Sequence, residues 1–589
     1  MSESERTEFF DATALSNEPV WFYPKKDVAW VDEIIHQFGI HPITAQILAT
    51  RGFTDVKAIH NFLYAKLPDL HDPKLFLNMS KAVDLVLKTI EKNEGILIYG
   101  DNDVDGITGT ALLVEFIKRI GGKAEFYIPN YRLKRKEQFV DALPFAQEKG
   151  CTALITVDCG ISSAREITQL TAAGINVIIT DHHEPTEKVP VCTAILNPKI
   201  ADQTYPHREL TGAGVAFKLA HAIMNALVST GAMAANRVDL KRYLDLVALG
   251  TVADMGVLHG ENRILVRYGL MQLRKTKRVG LLKLFALCGL EKSEISTVDI
   301  ASKIAPRLNS LGRVADPTKG VELLLVRQEK VAEELAAELD LFNLERQKIE
   351  QLVATDIEKM LEANPQILKE KAIILGSDKW HPGVIPILSA RLTRQYTRPT
   401  VLIAIDNAIG KGSARTIREF PLLPVLKKSS DLFLNYGGHD FAAGLTIKEE
   451  DIPKFTKRFL HAANSALKEQ DITSKLYLDA EANFDQLTYD LLSSLELFEP
   501  YGNENPPPLL YCEAMQAWAP KVIGGNHLKL YLEQGDRMLE GIGFGMAERK
   551  KEIKKRNMKL RIAYTPQINR FHNKSSIQLL IRDFQVMPD

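Results

Sequence analysis

Three apolar runs in the first third of the chain each stop at an aspartate. GILIYG (95–100) runs into Asp101, CTALITV (151–157) into Asp158 and GINVIIT (174–180) into Asp181. Runs without polar alternation read as strands buried on both faces of a sheet. Helical patterns separate them, KAVDLVLKTIEKN before the first and TALLVEFIKRI (110–120) after it, and the strand-like AEFYIP (124–129) follows. Strands alternating with helices imply a parallel sheet with right-handed crossovers. Parallel strands bring their C-terminal ends to one edge, where ligand sites of open α/β sheets lie. The three acidic ends are therefore expected in one crevice.

The chemistry of those ends is specific. The first continues as Asp101-Asn102-Asp103-Val104-Asp105-Gly106, the second precedes Cys159-Gly160, and the third is Asp181-His182-His183. A fourth acid, Asp254 in LVALGTVADM, follows a helical pattern. Carboxylates this close resist joint ionisation unless a cation joins them. A solvated acidic turn or a helix cap would explain any one cluster; three strand ends with imidazoles argue against it. Oxygen ligands of this kind suit Mg²⁺ or Mn²⁺. Carboxylates with an imidazole can hold two divalent cations roughly 3.5–4 Å apart across a bridging Asp, lower the pKa of a shared water and clamp a phosphoryl oxygen. That favours phosphodiester or phosphoanhydride hydrolysis. There is no GxSxG elbow and no GxxxxGK[ST] loop, so neither a serine nucleophile nor a nucleotide-driven motor is expected.

Composition sets the frame. The 589 residues carry 74 Lys+Arg against 74 Asp+Glu, which argues against a uniformly basic nucleic-acid coat protein. The charge is not evenly spread: residues 521–589 hold 14 Lys+Arg and 7 Asp+Glu, an excess of seven positive charges that the rest must balance. The cluster RKKEIKKR (549–556) dominates this segment, and Trp518 and Tyr531 lie near it in sequence. No run of 18 apolar residues suggests a membrane span, and the polar, acidic first twenty residues lack a signal-peptide core. Five cysteines form no CxxC pair, so reduced thiols and a cytoplasmic location are expected.

The pattern divides the chain into a helical lead-in (1–80), an α/β domain (81–318), a long connecting helix (319–365), a smaller α/β domain (366–468) and a C-terminal β-barrel (469–589). The helix is read from residues 321–364, which contain neither Gly nor Pro. The second α/β unit is read from KAIILG and PTVLIAID, and the barrel from short alternating runs such as LYCEAMQAW and HLKLYLE.

The motifs DNDVDG, VDCG, TDHHEP and GTVADM resemble the DHH phosphoesterase superfamily. IAPRLNSLGR (304–313), WHPGV (380–384), GKGSAR (410–415) and GGHDFAAGLT (437–446) narrow the resemblance to the RecJ-type single-stranded-DNA exonucleases of bacteria. The resemblance implies a DHH domain with the metal site, a helix to a smaller DHHA1 domain, and an OB-fold that helps hold DNA. It also implies 5′→3′ degradation of single-stranded DNA to 5′-mononucleotides with Mg²⁺ or Mn²⁺, in recombination and repair. Single-strand-binding protein and a helicase are the implied partners, a monomer is the implied state, and no membrane is involved.

By the same resemblance Asp101, Asp103, Asp105, Asp158, His182 and Asp254 are metal ligands, with Asp158 bridging. His183 contacts the scissile phosphate and Asp181 orients the histidines. Ser413 and Arg415 capture the 5′ phosphate and His439 approaches the substrate. Arg307, Asn309 and Arg313 either line the cleft or pack a hinge. The chain departs from the family where relatives carry Gly-Tyr-Gly-Leu after YIPN: it reads NYRLKRKEQF (130–139), in which Arg132 either meets DNA phosphates or belongs to a reshaped basic loop. Asn102 and Pro386 stand where relatives carry an aromatic residue and Gly. Two rivals remain: a phosphodiesterase for short RNA or cyclic dinucleotides, against which the tail at 470–589 argues, and a catalytically dead DNA scaffold, against which the intact ligand set argues.

Overall fold

A computed structural model of the chain describes residues 19–25, 27–130, 139, 141–234, 237–571 and 574–588. It divides into two compact units. One consists of His60–Glu345 with Phe498–Pro507, the other of the described parts of Met1–Ile59, Arg346–Leu497 and Pro508–Asp589.

The first unit is built on a five-stranded, all-parallel sheet in the order Lys123–Tyr127, Gly95–Gly100, Cys151–Val157, Asn176–Thr180, Ala194–Leu196. The apolar runs are continuous because both faces are covered. Ile96 and Ile98 enter a core with Ile107, Leu113, Val215, Leu219 and Leu246 from three helices. Leu97 and Tyr99 enter a second cluster with Phe139, Leu154, Ile167, Val177 and Ile179. Truncating such a residue to Ala costs about 2–5 kcal/mol. The chain lays its strands to one side of Gly95–Gly100 and then to the other. The strand order therefore reverses between Gly95–Gly100 and Cys151–Val157, and ligands bind at such a switch point.

Helix Gly212–Ser229 is, among the described residues, the one stretch long and apolar enough to cross a membrane; 67% of it is buried inside the unit, as a core helix. Its Lys218 is buried, donates to the carbonyl of His71 at 2.9 Å and pairs with the buried Glu261. The lead-in is therefore divided: residues from 60 onward belong here, while 19–59 belong to the other unit.

The connecting helix starts later than the sequence pattern predicts. Residues Thr318–Leu325 form a separate helix, Val326 is extended (ψ 143°), and the long helix spans Glu329–Ala363, 35 residues. No Gly or Pro marks the break; burial of Val321, Leu323 and Leu324 in the core turns the chain there. Packing overrides local propensity at that point.

In the second unit a mixed sheet runs in the order Phe433–Gly438, Ala442–Lys448, Ile409–Arg415, Thr400–Asp406, Ile373–Ser377, with the last pair parallel. Pro386 opens helix Ile385–Tyr396 in its first turn, where a missing N–H is harmless, which accounts for it structurally. Strands Leu510–Gln516, His527–Gln534, Arg537–Gly543, Lys574–Val586 and Met558–Phe571 pair in a ring that closes where Met515 and Gln516 meet Glu533 and Leu532. Closure leaves no edge in this five-stranded barrel. The Val20–Phe22 strand pairs with Lys475–Tyr477, and the indole N–H of Trp21 donates to the buried Asp583 at 2.6 Å.

Candidate metal centre

The sheet ladder extends one residue beyond each acidic strand. Asp101 N donates to Val157 O at 3.0 Å, Asp158 N to Thr180 O at 2.9 Å and Asp181 N to Leu196 O at 3.1 Å. The three aspartates are thus fixed at one edge, beside the reversal of strand order. Asp158 is held at φ +63°, a left-handed conformation that costs an L-residue roughly 1–2 kcal/mol. The surrounding ladder imposes it.

Asp103 caps helix Val104–Arg119: its Oδ1 accepts from Asp105 N (3.0 Å) and Gly106 N (3.1 Å). One oxygen of Asp103 is thereby engaged with the helix start. Asp105, 1% exposed, accepts from Gly212 N at 2.5 Å through Oδ2 and from Ala213 N at 2.9 Å through Oδ1. Those amides open helix Gly212–Ser229, where the helix dipole favours an anion. The site is too tight for side chains around it. A Cβ on Gly212 would lie 2.5 Å from Asp158 Cβ, and one on Gly250 would lie 2.5 Å from Asp105 Oδ1.

Three overlapping donor groups gather at this edge: Asp101, Asp103 and Asp158; Asp105, His182 and Asp254; and Asp158, His182 and His183. His182 Nε2 lies 3.0 Å from Asp158 Oδ1, 3.7 Å from Asp254 Oδ2 and 4.0 Å from Asp105 Oδ2. Asp158 belongs to both the first and the third group and joins the two halves of the site. Its Oδ1 is buried and receives no hydrogen bond from a described residue. Burial and the neighbouring Asp103 raise Asp101 and Asp105 to about 7. Burial, then the charge of Asp105, pushes Asp158 and Asp254 well above the ordinary carboxylate range. A cluster of buried acids that cannot all ionise, with one orphaned oxygen, fits divalent cations by the chemistry of its donors.

Asp181 behaves differently. Burial would raise it, but hydrogen bonds from the His183 ring and from the amides of Ile161 and His183 hold it below its ordinary value. His183 Nδ1 lies 2.8 Å from Asp181 Oδ1. Burial would lower His183, but this carboxylate raises it to about 9, so before cations bind the ring is an imidazolium. Asp181 Oδ1 also accepts the amide of His182 at 2.7 Å.

In the other unit Ser413 and Arg415 lie on strand Ile409–Arg415. Arg415 donates to Ser413 Oγ (3.2 Å) and Ala414 O (2.9 Å) and meets no carboxylate among the described residues. Burial lowers its pKa. A desolvated guanidinium with only neutral partners is an anion site in waiting. Arg415 pairs with Ala442 and Gly438 with Ala443, so His439, which follows Gly438, sits at the same sheet edge. Phe441, between His439 and the Ala442 strand, is 56% exposed.

The DHH family, N-terminal domain, matches residues 95–251, the DHHA1 domain 369–468 and the RecJ OB domain 478–583. The single-stranded-DNA-specific exonuclease RecJ of Haemophilus influenzae is 33% identical over 92% of this chain and 96% of its own length. The chain belongs to the RecJ family. RecJ of Bacillus subtilis is 34% identical over 97% of this chain and 71% of its own. The crystal structure of Thermus thermophilus RecJ in complex with Mn²⁺ matches the fold with TM-score 0.81 and 27% identity, over 98% of this chain and 80% of that one. The Mg²⁺ complex of the same protein matches with TM-score 0.73 and 26% identity, over 97% of this chain and 79% of that one.

Within this RecJ-family chain the sequence-derived residues do not all meet. Asp101, Asp103, Asp105, Asp158, Asp181, His182, His183 and Asp254 converge. Ser413, Arg415 and His439 share an edge of a different sheet. Arg307 pairs with Asp340 and Asn309 accepts the amide of Val104, so neither points to DNA by its contacts. Arg313 sits in the last turn of helix Ala305–Val314. Arg132 lies outside the described residues. Arg549, part of the basic cluster 549–556, pairs with Glu552 and with the buried Asp583, while Lys550, Lys551, Lys554, Lys555 and Arg556 are exposed. Gly212 and Phe441 escaped the sequence reading. The signal for Gly212 was two glycines at a helix start after Thr211, which are poor helix formers that mark close approach.

Proposed function

We propose that this chain is a metal-dependent exonuclease that removes 5′-mononucleotides from single-stranded DNA in the 5′→3′ direction, in recombination and repair. The observation that carries it is the set of buried, mutually repelling acids at the strand ends, with Asp158 common to two donor groups. Asp101, Asp103, Asp105, Asp158, His182 and Asp254 would hold Mn²⁺ or Mg²⁺. The cations would polarise a phosphoryl oxygen and supply a nucleophile near neutral pH.

The protein's own groups supply the rest. Asp105 is locked by two helix amides and keeps its oxygens aimed at the site. His183, held by Asp181 and with a side chain 43% exposed, suits a non-bridging oxygen of the scissile phosphate. Asp181 acts through that ring by holding its Nδ1 proton. Arg415 and Ser413 suit a terminal 5′ phosphate, where a guanidinium fork gives geometric recognition. His439 suits the adjacent phosphate. Arg313 and Arg132 remain DNA-phosphate candidates. The exposed lysines of 550–555 suit the strand beyond.

A monomer beside single-strand-binding protein and a helicase completes this reading, and five free cysteines in no disulfide fit the cytoplasm. The test uses 5′- and 3′-labelled single strands with Mn²⁺. The reading requires mononucleotides released first from the 5′ end, and none with Asp158→Ala. First release from the 3′ end, or normal cutting by Asp158→Ala, overturns it.

A further inference from the structure

The aspartate loop does not stand alone. Its helix starts at Val104, whose amide is one of the orphan donors of a helix N-terminus. Asp103 satisfies Asp105 N and Gly106 N, and its own carbonyl takes Ile107 N. The remaining donor, Val104 N, goes to Asn309 Oδ1 at 3.1 Å. The segment between two candidate ligands is thus fixed from outside by a residue 205 positions away in sequence.

The helix bearing Asn309, Ala305–Val314, touches the loop a second time. A Cβ on Gly312 would lie 2.5 Å from the carbonyl oxygen of Asn102, so its backbone rests directly on the residue between Asp101 and Asp103. Its far end is tied as well, since Asn130 Nδ2 donates to Ala315 O at 3.4 Å. This helix follows a five-residue π-helical segment, Ile300–Ile304, an uncommon geometry that recurs at functional sites. Two residues before Asn309, on a different face of the same helix, Arg307 donates to Lys303 O at 2.8 Å and pairs with Asp340 of the long helix at 2.8 Å, with side chains 18% and 26% exposed.

We propose that Asn309, Gly312 and the Arg307–Asp340 pair form a brace that positions Asp101, Asp103 and Asp105 for cation binding, with Asn309 as its central positioning residue. This assigns Arg307 and Asn309 to the metal loop and not to DNA. It also ties the placement of three ligands to the long helix through Asp340. The inference rests on the metal reading of those aspartates. Residues that orient metal ligands typically change metal affinity by about 10–100-fold when removed.

The test is Mn²⁺ calorimetry on the full chain, with steady-state kinetics beside it. Asn309→Ala should weaken Mn²⁺ binding about tenfold, while KM for single-stranded DNA at saturating Mn²⁺ stays at the wild-type value. Asn309→Asp keeps the acceptor oxygen and should restore Mn²⁺ binding; a phosphate-contacting residue would instead lose DNA affinity with that change. Arg307→Ala and Asp340→Ala should each weaken Mn²⁺ binding, and the double variant should be no worse than either alone, the non-additivity expected of a direct pair. Asn309→Ala that binds Mn²⁺ like the wild type but has a raised KM for DNA overturns the brace and makes Asn309 a substrate contact. Wild-type protein that binds no Mn²⁺ overturns the metal reading itself. Asp158→Ala, which should lose Mn²⁺ whether or not the brace exists, separates the two failures.

Discussion

The amide of Gly212 donates to Asp105 Oδ2 at 2.5 Å, while the α-carbon of the same glycine faces Asp158 so closely that a methyl group would lie 2.5 Å from its Cβ. One backbone position therefore orients one acid and sets the clearance of another. Gly212→Ala must push the helix start away from both. Overpacking of this kind costs roughly 1–3 kcal/mol. The variant is expected to melt lower than the wild type and to lose Mn²⁺ affinity out of proportion to its stability loss. Thermal melting and calorimetry on the same sample check this; wild-type Mn²⁺ binding in the variant refutes it.

The acid cluster also sets a pH dependence for protein stripped of metal. Asp101 and Asp105 sit near 7 in the folded chain, above the unfolded value of 3.8. Between these values the folded state binds more protons than the unfolded state, so stability falls as pH rises. His183, raised to about 9, acts in the same direction: its contribution is complete below 6.5 and is lost as pH climbs through 9. In EDTA the melting temperature should fall steadily from pH 5 to 8, and Mn²⁺ should remove most of the slope. A flat or rising profile in EDTA contradicts the burial and crowding described for these acids.

Arg415 offers a test of substrate end recognition. Hydrogen bonds to charged groups contribute about 1.5–3 kcal/mol, or about 10–100-fold in affinity. Arg415→Ala should raise KM by that factor for 5′-phosphorylated strands and leave 5′-hydroxyl strands unchanged. Arg415→Lys should recover only part, because an ammonium lacks the planar fork. Equal effects on both strand types would remove Arg415 from the 5′-phosphate site.

Phe441 is exposed beside the edge that carries Arg415. Base stacking on an aromatic ring contributes about 1–3 kcal/mol per base, so Phe441→Ala should raise KM for DNA about tenfold. Phe441→Trp should restore it. If KM is unmoved in both, the ring faces solvent for no substrate-related reason.

The parallel sheet was legible because both of its faces are dry: runs such as ALITV admit few alternatives, and their acidic ends meet at one edge, as the strand pattern predicts. The barrel strands were legible from alternation and turn residues. The break at Val326 was not, since no Gly or Pro marks it and the turn is driven by burial of Leu323 and Leu324. The amides of Gly212 and Ala213 were hidden for a different reason. Backbone donors have no letter of their own, and their use depends on where a helix begins in space. Arg307 and Asn309 carry side chains that suit DNA as well as protein, and their partners, Asp340 and Val104, could be found only in three dimensions.

Trp21 and Asp583, joined by an indole hydrogen bond, stand 562 residues apart. During synthesis at roughly 5–20 residues per second, about half a minute or more separates their emergence from the ribosome. All the acids and imidazoles at the strand ends lie between Asp101 and Asp254 and are made early in that interval. The strand Val20–Phe22, first to leave the tunnel among these elements, is among the last to find its place.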